Sequence, residues 1–146
     1  MKRLMLFSLI MIQCTLMAQS VTEVSTQFLQ SFADAFNAHD LDAIMSHMTE
    51  DCIFEASAGP DADGEKFVGQ LAVRKAFEDV FNTFPDAQWA NPRHIISGDR
   101  GLTEWTFSGT KRDGTKVEVT GCDLFTFKHG KIAIKNSYRK NRTIIK

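Results

Sequence analysis

Apolar residues recur at three- and four-residue intervals through Val21, Val24, Phe28, Phe32 and Phe36, which predicts one amphipathic helix ending near Ala38. Ser20-Val21-Thr22-Glu23 has the form of a capping box and places the helix start at Ser20. Asp40 then caps a second, short helix whose buried stripe is Leu41, Ile44, Met45 and Met48. After the polar Thr49-Glu50-Asp51, the run from Cys52 to Ser57 predicts a first strand, followed by a Gly/Asp-rich loop from Gly59 to Gly64. Helical period returns at Val73, Phe77, Val80, Phe81 and Phe84, and Pro85 stops it. Four strands follow, 88–97, 102–110, 116–128 and 131–140, separated by turn chemistry at 97–101, Asp113-Gly114 and His129-Gly130. The order ααβαββββ predicts an α+β fold in which helix stripes cover the concave side of a curled, mostly antiparallel sheet and leave a pocket.

Strand alternation assigns the polar residues to faces. Val117, Val119, Gly121, Asp123, Phe125 and Phe127 form an apolar row interrupted by one carboxylate, so Asp123 is expected to face inward. An unpartnered inward carboxylate is costly, which makes Asp123 either a paired structural residue or a pocket acid. In the last strand the same alternation groups Ile132, Ile134, Asn136, Tyr138 and Lys140 on the expected inner face, against Ala133, Lys135, Ser137 and Arg139. Asn136 and Tyr138 would then meet Asp123 at the mouth of an aromatic cavity. Asp123, Tyr138 and Lys140 are the candidate catalytic residues. Phe32, Phe54, Trp89, Trp105 and Phe125, with Asn136 at the polar end, are the candidate ligand contacts. Glu55 and Glu104 alternate with Phe54 and Trp105 and are expected to face away.

Composition narrows the partners. At 146 residues, 43% hydrophobic and a formal charge of -1, the chain fits one ordinary domain and offers no basic footprint for a nucleic acid. Residues 1–20 differ in kind: Lys2 and Arg3, an apolar stretch from Leu4 to Ile12, then small residues at Ala18 and Ser20, the layout of a secretory signal peptide cut after residue 18 or 20. The expected mature product is a single domain from residue 19 onward, exported to the periplasm or medium and without a stable membrane anchor. It keeps two cysteines, Cys52 and Cys122, each in an apolar strand pattern that favours a buried small hydrophobe over a bridge. His39, His47, His94 and His129 lack metal-ligand spacing, so neither metal nor cofactor is expected.

Four segments carry a family resemblance: Ala35-Phe36-Asn37-Ala38-His39-Asp40-Leu41-Asp42, Thr49-Glu50-Asp51, Glu104-Trp105-Thr106-Phe107-Ser108-Gly109-Thr110, and Gly121-Cys122-Asp123-Leu124-Phe125 leading to His129-Gly130-Lys131-Ile132. From about Phe28 to Arg142 the chain resembles the SnoaL-like branch of the nuclear transport factor 2-like superfamily, which includes polyketide cyclases and ketosteroid isomerases. The resemblance implies that superfamily's cone of three helices on a curved sheet, a pocket for a small, mostly apolar molecule, and a homodimer. In ketosteroid isomerases the base falls at Ala56 and the oxyanion tyrosine at Phe32, so both are absent here, whereas the protonated partner acid falls on Asp123. The cyclase acid/base aspartate falls at Lys140. The resemblance therefore implies either a cofactor-free isomerase, cyclase or hydratase with altered acid/base residues, or a non-catalytic binding or dimerisation module.

Overall fold

Ser25, rather than Ser20, caps the first helix in the computed structural model, which describes residues 23–142. The Ser25 side chain accepts from the Phe28 N–H at 3.3 Å, and helix α1 runs over Thr26–Asn37 with Leu29, Phe32, Ala35 and Phe36 buried. The expected box at Ser20 lies outside the described residues, and with Ser25 as the cap it no longer bears on where a leader would be cut. Asp40 does cap α2 (Leu41–Ser46), accepting from Ala43 N–H at 2.9 Å. Strand β1 (Met48–Glu55) starts four residues before the expected Cys52 and takes in Thr49-Glu50-Asp51. The loop then returns as β2 (Lys66–Val68), a three-residue edge strand too short to leave a periodic signature. Helix α3 (Gln70–Thr83) buries Val73, Ala76 and Phe77.

The remaining strands are β3 (Gln88–Ser97), β4 (Arg100–Thr110), β5 (Lys116–Lys128) and β6 (Lys131–Arg139). They and the first hairpin make one sheet in the order β2-β1-β6-β5-β4-β3, antiparallel everywhere except between β1 and β6. The α+β expectation holds, with β2 added. The three helices cover one face, and the main core lies between them: Leu29, Phe32, Ile44, Met48, Phe77, Phe125 and Ile132 are nearly fully buried. Cys52 belongs to that core, whereas Cys122 is half-buried on the outer face, so the two thiols are free and on opposite sides of the sheet.

One register change decides which polar residues reach the inside. β5 and β6 are joined by His129 and Gly130, both at positive φ (53° and 74°), the two-residue turn that right-twisted strands prefer. From that turn the pairing Lys128↔Lys131 and Phe127↔Ile132 proceeds as expected, but the next pair is Thr126↔Ile134. Ala133 is the extra residue of a β-bulge. Beyond it every side chain of β6 changes face: Lys135 pairs with Phe125 and Ser137 with Asp123, and both are buried.

Candidate functional site

Three strands deliver the buried polar groups. Alternation along β5 turns Asp123 inward, as expected, between Gly121 and Phe125. On β4, Trp105 stands opposite Gly121. A Cβ at Gly121 would lie 2.4 Å from the Trp105 ring and 2.3 Å from the Tyr138 carbonyl oxygen, so only glycine lets the indole cross there. In that position Trp105 Nε1–H donates to Asp123 Oδ2 at 3.0 Å. From β6, Lys135 Nζ and Ser137 Oγ donate to Asp123 Oδ1 at 2.7 and 2.5 Å, and Lys135 Nζ also donates to Ser137 Oγ at 2.8 Å.

These contacts settle the electrostatic role of Asp123. Indole and ammonium nitrogens donate and cannot accept, so with one facing each oxygen Asp123 is placed as the acceptor of the cluster. Asp123 is the acidic partner of a buried ion pair, which matches the paired structural residue among the two readings of its sequence. The Lys135–Asp123 pair is enclosed, each side chain 8% exposed, and the ammonium also lies 5.0 Å from the Phe54 ring centroid and 5.6 Å from that of Phe36.

Two cavities meet at Lys135. The larger, about 410 Å³, opens between α3, the β1–β2 hairpin and the concave sheet; Phe36, Phe54, Phe77, Trp89 and Phe107 supply its aromatic walls, and Lys135 and Ser137 its buried polar atoms. Glu65, Asp79 and Arg139 line it as well and are exposed to solvent. The smaller, about 30 Å³, lies under α1 and is lined by Phe32, Phe125, Thr103, Asp123 and Lys135. It has room for a water and no larger guest. Beside it, His94 Nδ1 bonds Thr103 Oγ1 at 2.8 Å and His94 Nε2 bonds Gln30 Oε1 at 3.2 Å. Burial holds that imidazole below the usual histidine range, against a weaker upward pull from Asp34. Among the described residues no group of three or more His, Cys, Asp or Glu side chains converges as a metal site, and no helix is long and apolar enough to cross a membrane.

The expected site residues divide accordingly. Phe54, Trp89 and Trp105 line the large cavity; Phe32 and Phe125 line the small one. Asn136 and Tyr138 instead point out of the sheet, where Asn136 Nδ2 donates to Tyr138 Oη at 3.2 Å and Tyr138 is 52% exposed. Lys140 lies past the end of β6, its side chain exposed, and joins Tyr138 along a groove on the outer face. The expectation that these three meet Asp123 is corrected, and the bulge at Ala133 is the physical reason. Lys135 and Ser137, expected on the outer face, are buried opposite Phe125 and Asp123. The one available signal was chemical: an inward Asp123 requires a cationic or donor partner, and β6 carries a lysine and a serine close to its level.

The sequence of residues 29–134 matches the model of the SnoaL-like domain. The chain belongs to the SnoaL-like family. Lys135 and Ser137 lie just past the matched span. Solved structures agree on the fold. A candidate polyketide cyclase of Pseudomonas putida KT2440 is 21% identical with a TM-score of 0.71, over 80% of this chain and 91% of that one. TerC, co-crystallised with polyporic acid, is 20% identical with a TM-score of 0.66, over 79% and 90%. A protein of Catenulispora acidiphila with a ketosteroid isomerase-like fold, in complex with trimethylamine, is 14% identical with a TM-score of 0.69, over 79% and 86%. No match was found among curated protein sequences.

Proposed function

We propose that this SnoaL-like protein is exported and binds a small, mostly apolar molecule in the larger cavity. The observation that carries the reading is an aromatic chamber of about 410 Å³ with an enclosed ammonium on its wall. That volume is in the range of small-molecule sites, and the combination of many apolar walls with few polar groups is what orients a ligand of that size. Binding takes precedence over isomerisation, cyclisation or hydration for a specific reason. Asp123 is occupied by three donors and does not line the larger cavity, so the buried wall there holds a charge-stabilising donor, Lys135, but no carboxylate free to act as a base.

The basic and apolar layout of residues 1–20 supports export of the mature domain. The exposed Ile95 and Tyr138 of the outer sheet support pairing of two copies across that face. Native mass spectrometry of the protein from its host's exported fraction tests the three parts together. The expected result is a chain beginning after residue 18 or 20, a dimer mass, and an added mass of about a few hundred daltons per chain. A full-length chain overturns export, a monomer overturns pairing, and an empty chain that also shows no thermal shift with a panel of apolar small molecules overturns ligand binding.

A further inference from the structure

The polar atoms left over at the buried end of the larger cavity define what chemistry a guest must bring. A lysine ammonium has three N–H donors and no acceptor. Lys135 uses two of them, on Asp123 Oδ1 and Ser137 Oγ, which leaves one without a hydrogen-bond acceptor among the described residues while the side chain lines the cavity. Ser137 gives its only hydrogen to Asp123, and Trp105 gives its indole hydrogen to the same carboxylate. The aromatic walls add apolar surface. Asp123 lines the smaller cavity and not the larger, so a guest in the larger one meets the ammonium before the carboxylate. One lone pair of Ser137 Oγ is left beside Lys135, where it can serve a neutral hydroxyl but not a second cation.

We propose that the buried end of the larger cavity selects apolar ligands that end in an oxygen acceptor, such as a carboxylate or a conjugated ketone, held by Lys135 Nζ. This inference rests on the ligand-binding reading above and adds to it the chemical class of the guest. An acceptor gains a charge-assisted hydrogen bond in surroundings where water is largely displaced, which strengthens it. A cationic guest of the same shape places two ammonium charges side by side. The exposed Arg139 at the mouth adds a second positive group on the same cavity; of the acids there, Asp79 is tied to Lys75, and Glu65 is exposed to solvent.

A matched set of two-ring probes tests the assignment by isothermal titration calorimetry: 2-naphthoate, 2-acetylnaphthalene, 2-methylnaphthalene and 2-naphthylmethylammonium. Both acceptor probes are expected to bind at least about tenfold more tightly than the hydrocarbon, and the ammonium more weakly than any of them. In Lys135→Met the acceptor advantage is expected to fall below about twofold while hydrocarbon binding persists. Because that substitution strands Asp123, the same titration is made on Lys135→Met/Asp123→Asn, which leaves neither charge alone. Equal affinity for hydrocarbon and acceptors, or an acceptor preference that survives in the double variant, overturns the acceptor assignment and leaves cavity binding standing. Failure of all four probes to bind the wild-type protein overturns both.

Discussion

Strands β5 and β6 face each other across one hairpin, yet only one of them obeys a simple period. In β5 the two-residue alternation runs from Val117 to Phe127 without interruption, and Asp123 falls inside where the pattern puts it. In β6 the pattern holds at Ile132 and reverses after Ala133, so Lys135 and Ser137 are buried while Asn136 and Tyr138 face out. The difference teaches that a sheet's inner chemistry depends on register as well as on composition, and one inserted residue exchanges the two faces of everything beyond it. Here the exchange supplies a buried carboxylate with its cation.

Inserting one alanine between Ile134 and Lys135 is the strongest way to break that comparison. With Thr126 still paired to Ile134, the added residue sends Lys135 to the outer face, strands Asp123 without a cation, and brings Asn136 and Tyr138 against the core. The expected loss exceeds the roughly 3–5 kcal/mol of a broken buried ion pair, and so removes a large part of the roughly 5–15 kcal/mol stability of an ordinary domain. Urea unfolding followed by circular dichroism measures it. An insertion variant with the wild-type midpoint would show that the register of β6 does not set the faces.

Second in size is the pair itself. Asp123→Ala leaves the Lys135 ammonium enclosed among Phe36, Phe54 and Trp105, and is expected to cost about 3–5 kcal/mol. Asp123→Asn/Lys135→Met removes both charges; the amide oxygen can accept from Trp105 while the amide nitrogen donates to Ser137 Oγ, which Lys135 no longer occupies, so the variant is expected to stay within about 2 kcal/mol of the wild type. A double-mutant cycle by chemical denaturation separates the two. If Asp123→Ala and the double variant are equally destabilised, the cost belongs to lost packing and not to an uncompensated charge.

How far the sequence reveals this molecule follows from the same contrast. Helices α1, α2 and α3 are legible because their apolar stripes are three and four residues apart over at least one face, and strands β3 and β5 are legible to their end residues because long alternating runs sit between strong turns. The true cap of α1 escapes notice because Ser20 and Ser25 both precede apolar positions, and the pattern Val21–Val24–Phe28 continues through residues 23–25, which are not helical. Strand β2 has three residues, too few for any period. At the site, Asp123 and the aromatic walls are readable as an interruption in an apolar row and as the row itself. Lys135 and Ser137 are not, because Lys131-Ile132-Ala133-Ile134-Lys135 carries no glycine or proline to mark a bulge, and counting by twos from the turn gives the wrong face.

The smallest effect sharpens the comparison from its outer side. Tyr138 and Lys140, read from alternation as inward and catalytic, stand on the solvent side of β6 and past its end, away from Lys135 and Asp123. Replacing each with alanine removes no buried contact, and the expected change in monomer stability is within about 0.5 kcal/mol. Hydrocarbon and acceptor probes are expected to bind either variant as they bind the wild type, since neither side chain lines either inner cavity. Calorimetric titration beside urea unfolding reads both quantities. If Tyr138→Ala instead weakens probe binding tenfold without altering oligomeric mass, the tyrosine reaches the cavity in solution and the face reversal beyond Ala133 is wrong. If the mass changes from dimer to monomer and binding does not, the same residue belongs to the outer interface and the division between the two faces of β6 stands.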